Sequence, residues 1–227
     1  MFSAISPRIT ITHVRLALVL PNFDYESAQR RMSPIPRPVL PENQDRPVRE
    51  AGVLILIYPE ADGELHLILT RRADNPQDPH SGQISFPGGQ RDTDDSSFTI
   101  TALRETCEEV GICGGITIWG SLSPVYIPPS HYRVYPYIGT LPVRPDCHPN
   151  PVEVAEVFTL ALDDLLDDAH KRSEDHEYRG AQVTVPFYDV KGHKVWGATA
   201  VILSELEHRL RAVLRQSARR ALVKEER

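Results

Sequence analysis

The chain has 227 residues, enough for one domain or for one domain with an appended segment. Its 41% hydrophobic and 25% charged residues are the proportions of a soluble globular protein. A net charge of −6 argues against a general nucleic-acid binder, which would be basic, but not against nucleotides, whose charge a metal ion can balance.

In chain order, residues 9–20 read as a short amphipathic helix, and Asp24 is placed to cap a second one running to Met32. Residues 33–47 hold five prolines and few apolar side chains, the composition of an extended linker. Residues 1–48 are therefore expected to form an N-terminal helical extension with a Pro-rich linker, and residues 49–227 the main domain. Residues 53–58 and 65–70 are β-rich strands joined by a turn cluster, which predicts a hairpin. A loop with Pro76 and Pro79 leads to Gly88-Gly89 and then to a helix capped by Ser96 or Ser97 and ended by Gly111. Residues 116–122, 133–141 and 154–160 are further strands, and 161–170 reads as a helix. Residues 183–188 and 194–196 form a late hairpin, and 198 to about 224 a long amphipathic helix. The basic run from Arg209 to Arg220 is most simply a solvated face of that helix. Strands and helices mix without regular βαβ alternation, which favours a layered α/β domain around a mixed sheet.

No apolar run approaches the roughly 18 residues of a membrane span. The first residues lack a basic region followed by a long apolar stretch, so no signal peptide is expected. The three cysteines, Cys107, Cys113 and Cys147, have no metal-ligand spacing, and their low, odd number suits a reducing cytoplasm. The expectation is a cytoplasmic protein with no membrane or nucleic-acid partner. A homo-oligomer is left open.

The helix after Gly88-Gly89 carries Arg104-Glu105-Thr106-Cys107-Glu108-Glu109-Val110-Gly111. At about 100° per residue, Glu105, Glu108 and Glu109 share one face. Leu103, Cys107 and Val110 fall on the opposite face, which is expected to be buried, with Thr99, Ile100 and Thr106 beside them. Like charges at this spacing destabilise a helix by roughly a few tenths of a kcal/mol per pair. A hard divalent cation reverses that sign, because oxygen ligands are what Mg²⁺ or Mn²⁺ prefers. The glutamates alone are equally compatible with a solvated acidic face. The preceding Gly-Gly turn, which lets backbone approach a ligand, and Arg104, one turn from Glu108, favour a metal site.

This stretch resembles the second half of the Nudix box, Arg-Glu-apolar-x-Glu-Glu-x-Gly-apolar. Every charged position and the glycine match, and Thr106 takes the aliphatic place. The first half, which in the family runs Gly, five residues, Glu, seven residues, Arg, is spaced differently. Counting back from Arg104 puts Ser96 at the glutamate position, and counting forward from Gly89 reaches Asp95, so the spacing is one residue longer. This longer form is similar to the coenzyme A pyrophosphatase branch of the family. A second segment, Leu69-Thr70-Arg71-Arg72-Ala73 through Gly82 to Phe86-Pro87-Gly88-Gly89, resembles the signature Leu-Leu-Thr-x-Arg-Ser/Ala-x3-Arg-x3-Gly-x3-Phe-Pro-Gly-Gly of that branch. It departs at Gln77, which stands where the branch has arginine, and one more residue separates Gln77 from Gly82. Residues 129–137, 152–158 and 196–199 also look like this branch.

The resemblance implies an α/β/α sandwich and a metal-dependent hydrolase of a nucleoside diphosphate linked to another moiety. Coenzyme A or acyl-coenzyme A is the favoured substrate, cleaved to 3′,5′-ADP and (acyl-)4′-phosphopantetheine with Mg²⁺ or Mn²⁺. Glu105 and Glu109 match the principal metal ligands and Glu108 the third carboxylate, with the carbonyl of Gly89 or Gly88 completing the shell. Arg104 orients Glu108, and Glu153 and Glu156 are candidates by position for the general base. Arg71, Arg72, His80, Gln83, Tyr126 and His131 are candidates for binding the substrate, with Tyr132 and Tyr135 as further platforms for adenine. Arginine pairs at strand ends are often merely solvated, and aromatic residues near strands usually serve packing. The alternatives are an ADP-ribose, dinucleotide or nucleoside triphosphate pyrophosphohydrolase, a non-catalytic ligand-sensing module, or an isoprenoid diphosphate isomerase. The last would need an activated thiol, and nothing marks Cys113 or Cys147 as one.

Overall fold

Strands β1 (Arg49–Pro59) and β2 (Leu65–Arg72) form the hairpin that the turn cluster between them predicts. The computed structural model describes residues 8–36, 47–77, 80–178 and 180–225, so most of the expected linker lies outside the described residues. β1 is the centre of a mixed sheet. It runs parallel to β7 (Tyr132–Thr140) and antiparallel to β2. β2 in turn pairs with β8 (Val154–Ala161), antiparallel. Short strands β3 (Ile84–Ser85) and β4 (Gly88–Gln90) join β2 and β1, while β5 (Thr117–Ser121) and β6 (Val125–Ile127) join β7. The unbroken apolar run Leu54–Tyr58 is buried on both faces, as a central strand covered from both sides requires.

Helices supply the two covers. On one face, Ala102 and Val110 of α3 (Phe98–Val110) pack with Leu54, Leu56, Tyr58 and Ile68. On the other, Ile202, Leu203, Leu206 and Leu210 of α5 (Gly197–Glu225) pack with Ile55, Ile57, Leu67 and Leu69. The α/β/α sandwich is therefore present. The N-terminal helices α1 (Ile11–Leu18) and α2 (Tyr25–Arg30) lie against α5, and Val14, Ala17 and Met32 enter the same core. Asp24 caps α2 by accepting from the Ser27 amide, as its position predicts.

The helix expected over residues 161–170 is only α4 (Leu162–Leu165), followed by a single 3-10 turn, Asp168–His170. The chain then enters β9 (Lys171–Tyr178), which pairs with β10 (Ala181–Val190); with β11 (His193–Val195) these form a second, three-stranded sheet. Apolar periodicity ends at Leu166, and the Asp167 carboxylate takes the Ala169 amide, so a side chain competes with further helix. β9 is rich in charge because it is an edge strand, where charged side chains discourage pairing with other chains.

The basic run on α5 is solvated only in its second half. Arg209 is not solvated: it is 9% exposed, donates to Glu205 Oε1 at 2.9 Å and to the Ala17 carbonyl at 3.1 Å, and lies over the Phe23 ring. Arg211 is half-buried and pairs with Glu207 and Asp168. The N-terminal helices cover the Arg209 side of α5, so that charge is matched inside the fold, whereas Arg215 and Arg219 further along the run are exposed, as expected.

Candidate active site

Helix α3 starts and stops where its sequence indicates. Ser97 accepts from the Ile100 amide, and Gly111 adopts φ 75°, the left-handed conformation that ends the helix. Its rotation differs from expectation. Thr101, Ala102, Thr106, Glu109 and Val110 are buried, Leu103 and Cys107 are half-buried, and Ile100 is 43% exposed. The reason lies on β1. A Cβ on Gly52 would sit 2.4 Å from the Phe98 carbonyl oxygen, so this glycine lets the helix backbone lie directly on the strand. The closest approach is made by the smallest side chains, not by the most apolar ones. That rotation carries Glu109 inward, to 4% exposure, where the Gly88 amide donates to Oε2 at 3.1 Å.

The glycine pair fits this packing. Gly88 has φ 150°, and a Cβ there would lie 2.5 Å from the Gly52 carbonyl oxygen and 2.6 Å from Val53 Cα. A Cβ on Gly89 would lie 2.5 Å from the Glu105 carboxylate. The third carboxylate comes from elsewhere in the chain. Glu153, in the turn before β8, brings an oxygen to the Glu105 and Glu109 carboxylates, all three within 4.8 Å of one another. Burial raises the pKa of both helix glutamates, and for Glu109 pushes it up to about 7. The Gly88 amide and Arg72 oppose that rise, while the charges of Glu105 and Glu153 add to it. An all-oxygen donor set, one member buried and short of positive charge, fits a hard divalent cation.

Arg104 organises the outer side. Its guanidinium makes a two-pronged contact with Asp95, at 3.1 and 2.8 Å, and donates to Glu105 at 2.9 Å and Glu108 at 3.0 Å. A further N–H reaches the Gln90 carbonyl at 3.2 Å. Asp95 is 4% exposed, and Arg104 holds its carboxyl well below the usual carboxylate range. The longer spacing thus places Asp95, not Ser96, as the acidic partner of Arg104. Glu108 is exposed and tied to Arg104, outside the group formed by Glu105, Glu109 and Glu153.

The description that matches this chain is the NUDIX domain, over residues 48–180. The chain belongs to the Nudix hydrolase family. It is 38% identical over 159 residues to a protein of Photorhabdus laumondii described as an uncharacterized Nudix hydrolase, NudL, covering 70% of this chain and 83% of that one. It is 36% identical over 162 residues to the Arabidopsis thaliana protein named Nudix hydrolase 15, mitochondrial, covering 68% of this chain but only 56% of the plant protein. Among solved structures it is similar to the Nudix hydrolase RenU of M. Smegmatis, with a TM-score of 0.49, 19% identity and coverage of 74% of this chain and 87% of that one.

In this Nudix domain the remaining candidates fall into three places. Arg72 lies on the carboxylate side, since its charge acts on Glu109, and its amide donates to the Gln83 carbonyl at 3.0 Å. His80 Nδ1 and Gln83 Oε1 are 3.2 Å apart in the same loop. Arg71 points the other way, to Glu156 at 3.6 Å and Asp74 at 3.7 Å. On β8, Phe158 enters the α5-side core and Val157 the α3-side core, so alternation puts Glu156 on the Phe158 face. There Glu156 meets His193 Nε2 at 3.3 Å. The structure brings Glu153, and not Glu156, to the helix glutamates.

Tyr126 and His131 pair with each other in the β6–β7 hairpin, hydroxyl to Nδ1 at 2.6 Å. Tyr132 links that hairpin to the glycine strand through a hydroxyl donated to Gln90 at 2.6 Å. Tyr135 is already stacked on Phe98, with ring centroids 3.9 Å apart, and Arg49 lies over the Tyr132 ring.

The low, odd cysteine count suggests a reducing compartment, yet Cys107 and Cys113 are joined in a disulfide and Cys147 is free. The left-handed turn at Gly111 folds the chain back on the last helical turn and brings the two Cα atoms to 4.4 Å. No helix among the described residues is long and apolar enough to cross a membrane.

Proposed function

We propose that this Nudix domain is a metal-dependent pyrophosphohydrolase that cleaves coenzyme A or acyl-coenzyme A to 3′,5′-ADP and (acyl-)4′-phosphopantetheine. The observation that carries the reading is the convergence of Glu105, Glu109 and Glu153 beside the Gly88-Gly89 backbone. A ligand-sensing module has no need to hold three carboxylates together against their own repulsion. An isomerase reading lacks its thiol, since Cys113 is in a disulfide and burial pushes the Cys147 thiol up, away from the reactive thiolate.

Glu105 and Glu109 would hold Mg²⁺ or Mn²⁺, with Gly89 lying against the Glu105 carboxylate as a candidate further ligand, and Arg104 keeps Glu105 and Glu108 oriented. A bound divalent ion neutralises bridging phosphate oxygens and lowers the pKa of an attacking water. Water adds to one phosphorus of the P–O–P bridge, the bridging bond breaks, and two phosphate products leave. Glu153 is the general base of this reading: it is exposed, so it reaches solvent water, and it stands beside the two ligand carboxylates. Arg72, on the carboxylate side, takes a substrate phosphate. Arg71 is engaged by Glu156 and does not replace the arginine absent at Gln77.

The coenzyme A assignment is supported by two separate segments, the Leu69–Gly89 signature and the lengthened box. Gln77 favours a second reading, a substrate without a 3′-phosphate such as ADP-ribose. The deciding experiment compares coenzyme A, dephospho-coenzyme A and ADP-ribose side by side with Mg²⁺ and with Mn²⁺, identifying products by mass. Coenzyme A cleavage with a weak 3′-phosphate preference is expected. Tenfold more efficient turnover of ADP-ribose than of either coenzyme A form overturns the assignment.

A further inference from the structure

Glu153 lies in an exposed turn, yet its carboxylate stays with two glutamates of a helix some 45 residues earlier in the chain. Something must hold that turn against α3, because an unrestrained glutamate on a loop would swing away from like charges. One residue makes both connections. The Asn150 amide donates to the Glu109 carbonyl at 2.9 Å, one of the helix-end carbonyls that have no partner within α3. The His148 amide does the same for Val110, also at 2.9 Å. The Asn150 carbonyl then accepts the amides of Glu153 and Val154, at 3.1 and 2.8 Å. Its side-chain Oδ1 accepts the Val152 amide at 3.2 Å, closing an Asx turn, and Nδ2 donates to Glu153 Oε1 at 3.4 Å.

Asn150 is therefore tied to α3 through its amide, while its carbonyl, Oδ1 and Nδ2 are all spent within the turn that carries Glu153. We propose that Asn150 is a positioning residue of the catalytic centre, which sets the separation between Glu153 and the Glu105–Glu109 pair. Asparagine suits the task. Aspartate would keep the Oδ1 acceptor that closes the turn, but would put a negative charge where the Nδ2 donor faces Glu153. Alanine would keep the backbone bonds and lose both side-chain ones. The inference rests on the reading of Glu153 given above.

The test uses the full chain with Asn150→Ala, Asn150→Asp, Glu153→Gln and the double variant Asn150→Ala/Glu153→Gln. Two quantities are read: Mn²⁺ affinity, from the resonance signal of free Mn²⁺ without substrate, and turnover of whichever of coenzyme A and ADP-ribose the parent cleaves. Partners that orient a metal site typically change affinity or activity by about 10–100-fold, so Asn150→Ala should lose roughly tenfold in kcat or Mn²⁺ affinity. KM should change less than about threefold, because the substrate itself is not touched. Asn150→Asp, which keeps the turn and should fold as the parent does, is expected to lose at least as much. The double variant should be no worse than Glu153→Gln alone, because Asn150 acts through Glu153. A normal Asn150→Asp variant beside an impaired Glu153→Gln overturns the proposal and leaves the role of Glu153 standing. Fully additive losses in the double variant overturn it as well, by showing that Asn150 acts on the fold alone. A Glu153→Gln variant with parental turnover and Mn²⁺ affinity removes both the role of Glu153 and that of Asn150.

Discussion

Gly89 and Glu105 are in contact with no room for a side chain between them: a Cβ on residue 89 would meet the Glu105 carboxylate at 2.5 Å. The group in the way is the mobile end of a side chain, so Gly89→Ala should displace the carboxylate rather than the backbone. The expected result is a loss of about 10–100-fold in Mn²⁺ affinity and turnover with little change in Tm. Gly88→Ala should behave differently. Its Cβ would strike backbone at Gly52 and Val53, and its φ of 150° disfavours a side chain, so it should lower Tm as well. Equal melting of the two variants would contradict this division, and thermal unfolding read alongside Mn²⁺ titration decides it.

Glu105→Gln and Glu109→Gln should each lower turnover by at least about a hundredfold, since each removes charge from the proposed metal shell. Near-normal turnover in both at saturating Mg²⁺ would remove them from that role.

The same Glu109 makes a prediction about stability. Its folded pKa of about 7 lies above the ordinary value of 4.5, so between those limits the folded state holds a proton that the unfolded chain has lost. Stability of the metal-free protein should therefore fall as pH rises from 4.5 to 7, by up to about 3 kcal/mol from this group. Glu109→Gln, with no proton to lose, should be more stable than the parent at pH 8 in EDTA and close to it at pH 4. Denaturant unfolding at the two pH values is the check. A variant less stable than the parent at pH 8 would show that the buried carboxylate carries no such penalty.

The rotation of α3 also has a measurable consequence. Ala102 is 0% exposed and Leu103 only half-buried. A carboxylate at residue 102 would be buried without a partner, whereas one at residue 103 can turn toward solvent. Ala102→Asp should abolish or severely weaken folding, and Leu103→Asp should cost less. Thermal denaturation in which Leu103→Asp is the worse of the two would restore the helix face that spacing alone suggests.

The Cys107–Cys113 disulfide closes a short loop across the end of the same helix. For a loop of about seven residues the chain-entropy model gives about 2 kcal/mol. Reduction with dithiothreitol should raise the count of alkylatable thiols from one to three and lower Tm by roughly 4–8 °C. Cys113→Ser should melt with the reduced protein, and reductant should not shift its Tm. Three reactive thiols in the untreated protein would show that the bond does not form in solution.

Much of this molecule was legible in the sequence because it rests on short-range order. The Ser97 cap, the Gly111 stop and the pairing of Glu105 with Glu109 one turn on follow from helical geometry over a dozen residues. The β1–β2 hairpin follows from two apolar runs around a turn cluster, and the Nudix box is itself a local pattern. What tertiary structure alone decided depends on residues distant in the chain. Gly52 on β1 chose which side of α3 is buried, and so drew Glu109 inside where periodicity had put Leu103. The choice between Glu153 and Glu156 turned on their places in the fold: Glu153 sits in the turn that Asn150 ties to the end of α3, whereas Glu156 lies on β8 and faces His193. β9 carries no apolar alternation, because an exposed edge strand is held by hydrogen bonds to β10 and not by burial. Helical and strand periods report which face is apolar. They cannot report how closely two backbones approach, and here that approach determined which carboxylates meet.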